Sequence, residues 1–213
     1  NMVKTGMVDK NEADASELHL AYFAYHTVED PLGGISGDSR SIGSNGENYL
    51  DAGGNVEQAT RTLFAWMGVA SEETAPYSEC VNAYDNGLDH NIAFQDIAHI
   101  KNAYMIHPTT EREEAKRLIF QYGALTTSYF ASQSGNVYTI GGKKYYFTDF
   151  YNYDNNSYYC PVKTSTNHAV TIVGWDDNFP KENFSIQPEG DGAWLIRNSW
   201  TTSNSQNYNG YFW

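Results

Sequence analysis

Two stretches near the end of the chain constrain its fold more than any others: Asn167-His168-Ala169-Val170-Thr171-Ile172-Val173-Gly174-Trp175 and Trp194-Leu195-Ile196-Arg197-Asn198-Ser199-Trp200. Both are short apolar runs bounded by polar and turn-forming residues, which is the pattern of a buried strand. A polar loop over residues 176–191 joins them. The first strand opens on a histidine and the second ends on an asparagine. Paired side by side, they bring an imidazole and a carboxamide to neighbouring strand ends.

The 213 residues suffice for one domain or two closely packed lobes. Thirteen basic side chains stand against 26 acidic ones, a net charge of −13. Polyanions are repelled by such a surface, so nucleic acid and anionic membranes are poor partners. No apolar run is long enough to span a bilayer. Abundant Tyr and Gly with little Lys point weakly to a secreted protein. Cys80 and Cys160 are the only thiols, and the sequence leaves open whether they pair. Asn1-Met2-Val3-Lys4 has no apolar core of a signal peptide. Residues 1–7 read as the tail of a helix and Tyr211-Phe212-Trp213 as the middle of a strand, so a piece of a longer chain is expected.

Helices come first. Asp14 or Ser16 caps a segment carrying Leu18, Leu20, Ala21, Tyr22, Ala24 and Tyr25, which Pro31 and Gly33-Gly34 end. Residues 33–54 are dense in Gly, Ser and Asn and read as a loop. A second helix from Val56 places Ala59, Leu63, Trp66 and Met67 on one face, with Gly68 at its end. Residues 71–95 read as largely irregular. A capping box of Thr110 and Glu113 opens a further helix with Ala115, Leu118, Ile119 and Tyr122 on its buried face. Beyond Gly123 the pattern is β: a strand over 125–131, a hairpin about Gly141-Gly142, then the two opening strands. Helices followed by antiparallel strands predict an α+β fold in two lobes, a mainly helical one over 1–105 and a β one over 106–213.

A histidine beside an amide suits one chemistry in particular. A thiol of pKa about 8.5 is mostly protonated at neutral pH and becomes a good nucleophile only as thiolate. A neighbouring imidazole takes that proton and later protonates the leaving amine. A third group must hold the ring in one orientation, and the Asn side-chain carbonyl is a directional acceptor. His168 and Asn198 have these identities, and Trp200 is placed to shield their hydrogen bond from water.

His168-Ala169-Val170 with Gly174-Trp175, and Asn198-Ser199-Trp200, resemble the base and amide motifs of the papain-like cysteine peptidases. The Asn-Ser-Trp motif often continues with Gly; Thr201-Thr202 stand here, while Asn209-Gly210-Tyr211 resembles the later Asn-Gly-Tyr. Upstream, Ser16-Glu17-Leu18-His19-Leu20 is similar to a Ser-Glu-x-x-Leu helix start of the family. Gly53-Gly54-Asn55-Val56 and Ala75-Pro76-Tyr77 resemble its Gly-Gly loop and Tyr-Pro-Tyr segment, and Ala124–Ser128 its Pro-Val-x-Val strand before the barrel. The resemblance covers nearly the whole chain from residue 16. It implies a two-lobed fold with a helical lobe, an antiparallel β-barrel-like lobe and the active-site cleft between them. It also implies peptide-bond hydrolysis without cofactor or metal, with a polypeptide as substrate. Gly53 and Gly54 would then pair with the substrate backbone, and Asn55 would belong to the same loop. Val56, Ser128 and Ala169 would line the pocket for the substrate's second residue. Bacterial examples with similar helix and Gly-Trp-Asp-Asp-Asn-Phe segments are secreted or surface-attached, which implies that location here.

One departure matters. The family's nucleophile lies in a Gln-x-x-x-Gly-x-Cys-Trp motif before the Ser-Glu-x-x-Leu helix, and no such motif stands in these residues. Neither Cys80 nor Cys160 is followed by Trp, and neither is expected to open a helix. The nucleophile is therefore expected on a preceding segment of the same parent chain, and the 213 residues alone are expected to be inactive. The alternative is an inactive relative that serves as an extracellular peptide- or glycan-binding module. A metal hydrolase is disfavoured, because the six histidines form no His-x-x-x-His pair with a helical Glu. Asp176-Asp177-Asn178 and Glu189-Gly190-Asp191 lack EF-hand spacing.

Overall fold

The structure is a computed structural model that describes residues 6, 8–10, 13–36, 53–107, 110–162, 164–200 and 210–213. The expected helical tail over 1–7 apart from Gly6, most of the 33–54 loop, and Thr201, Thr202 and Asn209 lie outside the described residues. The chain divides into two compact units, Met2–Met105 and Ile106–Trp213.

In the first unit, α1 (Glu17–Tyr25) starts where Ser16 takes an extended conformation and its hydroxyl accepts the His19 N–H. The same hydroxyl donates to the Ala75 carbonyl at 2.6 Å, so the cap also ties the helix to a distant loop. Leu18, His19 and Tyr22 through Tyr25 are all buried, so α1 is a core helix covered on most sides. Tyr22, Phe23 and Tyr25 pack with Val28, Met67 and Ala93. Strands β1 (Val28–Glu29) and β2 (Ile35–Ser36) form a small antiparallel pair after it.

Helix α2 (Val56–Phe64) begins at Asn55, whose side chain accepts the Gln58 N–H at 2.8 Å. It stops short of the expected Trp66 and Met67. Ala65 is already extended, and Gly68, at φ +51°, turns the chain so that Val69 can bridge to Ala98. A Cβ at Gly68 would collide with the Ala98 carbonyl. Met67 is consequently buried by this turn rather than by a helical face, and Trp66 stays exposed. Residues 71–95 are more regular than expected, since they contain α3 (Cys80–Asn86). Only Ala83 of α3 is buried, so it carries no apolar stripe by which a helix is recognised.

His19 is fully buried in this unit. Its Nε2 lies 3.1 Å from the Ile92 carbonyl, and its buried Nδ1 has no hydrogen-bond partner among the described residues. Burial holds its pKa below the ordinary 6.5, against backbone contacts at Ile92 and Ala93 and the nearby Asp96 carboxylate, which favour the cation. A histidine pKa lowered by folding adds stability above the unfolded value and loses it as pH falls through the folded one. The protein is therefore expected to lose stability below about pH 6.5, read as a falling thermal midpoint, and His19→Leu should flatten that part of the profile. An unchanged acid limb in the variant would contradict the assignment.

In the second unit, α4 (Arg112–Tyr122) buries Ala115, Leu118 and Ile119. The expected Thr110–Glu113 box is not formed: Glu111 is the N-cap, and its side chain accepts the His107 N–H at 2.6 Å. The strands are β3 (Leu125–Tyr129), β4 (Val137–Ile140), β5 (Lys143–Tyr146), β6 (Tyr151–Asn152), β7 (Ser157–Tyr158), β8 (His168–Asp176), β9 (Ala193–Arg197) and β10 (Tyr211–Phe212). Four of them make an antiparallel sheet in the order β10-β9-β8-β3, while β4-β5 and β6-β7 pair only with each other. Among the described residues no barrel closes, which corrects the barrel-like expectation. Gly141 and Gly142 both have positive φ and form a tight two-residue turn, so β4 and β5 satisfy each other instead of extending the sheet. Lys116 of α4 binds Glu113 at 2.8 Å and Asp177, just past β8, at 2.7 Å, fastening the helix to the sheet.

Candidate active site

The position of His168 follows from sheet register. It is the first residue of β8, opposite Tyr129 of β3, and the next pair is Ala169 with Ser128. On the other side of β8 the register shifts between Ile172 and Gly174, a bulge at Val173. After that shift Thr171 faces Arg197, the last residue of β9, and beyond it the Trp200 ring meets that of His168. Without the extra residue every side chain beyond the bulge would turn to the other face of the sheet.

The resulting geometry is specific. The His168 Nε2 lies 2.9 Å from Asn198 Oδ1. Because an amide oxygen only accepts, Nε2 carries the proton and donates it, which leaves Nδ1 as the ring's free acceptor. The Trp200 N–H also points to Asn198 Oδ1, at 3.4 Å, and so helps hold the amide in this orientation. The Trp200 indole stacks on the imidazole with ring centroids 4.0 Å apart and planes 26° from parallel. Tyr129 meets the imidazole edge to face, with centroids 5.7 Å apart. Asn198 is only 8% exposed, whereas Trp200 is 55% exposed, so the bond is covered by a ring whose outer face meets solvent.

Several further residues support the pair. The Asn167 side chain accepts the Ala131 N–H at 2.7 Å and donates to the Ala131 carbonyl at 3.0 Å, closing the β3–β8 pair just ahead of His168. The Asn198 N–H donates to the Gly210 carbonyl at 2.8 Å. Gly210, at φ +88°, packs so closely that a Cβ would fall 3.1 Å from the Asn198 carbonyl oxygen. Next to the pair is a cavity of about 310 Å³ whose walls include Tyr129, Tyr151, Tyr158, Asn198, Trp200 and Phe212. Burial raises the Tyr129 and Tyr151 hydroxyls to about 12 and pushes Tyr158 up as well, so this wall is neutral throughout the physiological range. Tyr129 had a sequence signal only in retrospect, as the residue that register places across from the histidine.

The remaining predicted positions are distributed over both units. Gly53, Gly54, Asn55 and Val56 are exposed in the first unit, at the start of α2. Ser128 and Ala169 are exposed neighbours in the second, and the Ser128 hydroxyl donates to Thr166 Oγ1 at 3.0 Å. Both cysteines are free thiols. Contrary to expectation, Cys80 does open a helix, α3. Its thiol pKa is nevertheless raised, first by burial and then by the carboxylates of Glu72 and Glu17, the reverse of what an activated thiolate needs. Cys160 lies in an irregular segment after β7, and among the described residues no hydrogen bond joins it to His168. Among the described residues no cluster of three or more His, Cys, Asp or Glu could hold a metal ion. None of the described helices is long and apolar enough to cross a membrane.

A histidine whose Nε2 is bonded to an amide oxygen, beneath a stacked indole at the end of an antiparallel sheet, has the form of a thiol hydrolase's base and its orienting group. Comparison with known proteins agrees with that class. A sequence profile described as papain family cysteine protease matches residues 46–213, and the chain belongs to that family. Among solved structures it is similar to the clostridial cysteine protease Cwp84, in a variant form after propeptide cleavage. The identity is 27% and the TM-score 0.54, over 94% of this chain and 42% of that one. It is also similar to the cysteine protease and lectin-like domains of Cwp84, a surface-layer-associated protein of Clostridium difficile. There the identity is 26% and the TM-score 0.53, over 94% of this chain and 37% of that one. The chain thus spans less than half the length of either solved relative. No curated protein sequence matches it.

Proposed function

We propose that this chain supplies the general base and its orienting amide to a cysteine peptidase whose thiol nucleophile lies outside these 213 residues. The observation that carries the reading is the His168 Nε2–Asn198 Oδ1 bond, which leaves Nδ1 to exchange the proton. In the reaction Nδ1 takes the thiol proton, and the thiolate attacks the substrate carbonyl carbon. The imidazolium returns the proton to the leaving amine as the C–N bond breaks, leaving a thioester. Water then gives a proton to Nδ1 and attacks the thioester; the C–S bond breaks and the thiol is restored. Throughout, Asn198 keeps the ring plane fixed, and Trp200 keeps water from competing for the Nε2 proton.

Gly53 and Gly54 are read as a backbone edge for the substrate's main chain, with Asn55 capping the helix behind them and Val56 beside them. Ser128 and Ala169 form a small-residue surface next to His168, suited to a substrate side chain. The surface-layer neighbours support a secreted or surface location. A relative without the thiol would use the same surfaces for binding alone, and turnover separates the two readings. In the full-length protein, Asn198→Ala should lower kcat/KM by about ten- to a hundredfold, the scale of a misoriented catalytic group, with KM little changed. Unchanged turnover in that variant, or no thiol-dependent turnover of any peptide by the full-length protein, would remove the proposal.

A further inference from the structure

The mechanism leaves one buried hydroxyl unexplained. Tyr25, at the end of α1, is only 5% exposed, and its hydroxyl donates to the backbone carbonyl of Gly53. The acceptor lies 28 residues away, in an exposed segment that begins α2. Gly53 has φ +72°, a conformation that costs little only for glycine, so its carbonyl can turn towards Tyr25. The Tyr25 oxygen also sits beneath the next residue: a Cβ built at Gly54 would lie 3.5 Å from it. Asn55 then fixes the far side of the segment by capping α2 through the Gln58 N–H. Among the described residues, the N–H and C=O of Gly54 make no hydrogen bond. A solvent-facing peptide group left unpaired, held from below on one side and by a helix cap on the other, is arranged as an edge for an extended chain.

We infer that Tyr25 is a positioning residue for substrate binding: its hydroxyl sets the Gly53 carbonyl and so presents the Gly54 backbone groups to the substrate main chain. The inference rests on the reading of Gly53-Gly54 as the substrate edge. Fixing that edge in advance removes ordering cost from binding, so its loss falls on affinity for extended substrates rather than on bond cleavage.

The test uses the full-length protein and a series of peptides that lengthen on the amino-terminal side of the scissile bond. Tyr25→Phe removes only the hydroxyl. Independently of the protein, a matched peptide series carries N-methylated backbone amides on that side of the scissile bond, which removes the donors that an edge would pair with. In Tyr25→Phe, KM for the unmethylated peptides should rise about three- to tenfold, the range of one net hydrogen bond. That rise should be confined to the longer peptides, with kcat retained and the thermal midpoint near that of the parent. In the unaltered protein, N-methylation should raise KM for the same longer peptides. If N-methylation raises KM and Tyr25→Phe does not, the positioning role is wrong while the edge reading stands. If neither raises KM, the edge reading fails and the positioning role falls with it. A loss in Tyr25→Phe that is equal for short and long peptides and tracks a lowered thermal midpoint makes Tyr25 structural and also overturns the inference.

Discussion

Replacing His168 with alanine in the full-length protein is expected to lower kcat by about 10³-fold or more, towards the upper range for a general acid–base group. Two losses combine. The thiol remains protonated at neutral pH, and the leaving amine departs without a proton. The fold should survive, because His168 is only partly buried and its strand pairings are made by backbone groups. KM should change little, since no step of substrate binding passes through the imidazole. Steady-state kinetics on a single peptide, with circular dichroism to verify folding, checks this. A loss below about tenfold, too small for such a group, would mean that His168 is not the base.

Gly210→Ala is expected to have the next largest effect, although Gly210 touches no reacting atom. Its φ of +88° is strained for any residue with a Cβ. The added carbon would lie 2.6 Å from Arg197 Nη1, 3.0 Å from the Trp200 carbonyl oxygen and 3.1 Å from that of Asn198. Arg197 can swing aside; the two carbonyls are backbone and cannot without moving the strand end. A cost of about 2–3 kcal/mol follows from the strained backbone and the displaced neighbours. The displacement reaches Asn198, and through it His168, because the Gly210 carbonyl accepts the Asn198 N–H. Calorimetry on the full-length protein should show a lower unfolding temperature. The peptide assay should show reduced kcat at temperatures where the variant is still folded. An unaltered melting curve would show that the turn tolerates a side chain and that its geometry does not govern Asn198.

Much of this arrangement is legible in the sequence. A cap at Asp14 or Ser16, of which Ser16 forms it, the apolar run of α1, and the strands carrying His168 and leading to Asn198 follow from local pattern, because capping and strand burial leave short-range marks. Other features leave none. The Val173 bulge, which sets the register of Arg197 against Thr171, arises from pairing between strands and shows in neither strand alone. Helix α3 has one buried residue and therefore no stripe. Gly68 reads only as a helix end and Gly210 only as part of an Asn-Gly-Tyr segment, yet each is required by a carbonyl that approaches from elsewhere in the chain. The barrel-like lobe was implied by the family resemblance alone; among the described residues no barrel closes, and the hairpin strands β4 and β5 pair with one another. Cys80 shows the converse. It heads a helix, as a nucleophile might, but burial and two carboxylates oppose its ionisation.

The central claim is that the base described here serves a thiol outside the 213 residues. Iodoacetamide inactivation of the full-length protein, with the modified cysteine mapped by peptide mass spectrometry, tests it most directly. The account predicts that activity is lost in step with alkylation of a cysteine outside this stretch. It further predicts that this alkylation slows in His168→Ala, and that a Cys80→Ser, Cys160→Ser double variant keeps its activity. Inactivation that follows alkylation of Cys80 or Cys160, and is abolished by their replacement, would contradict it.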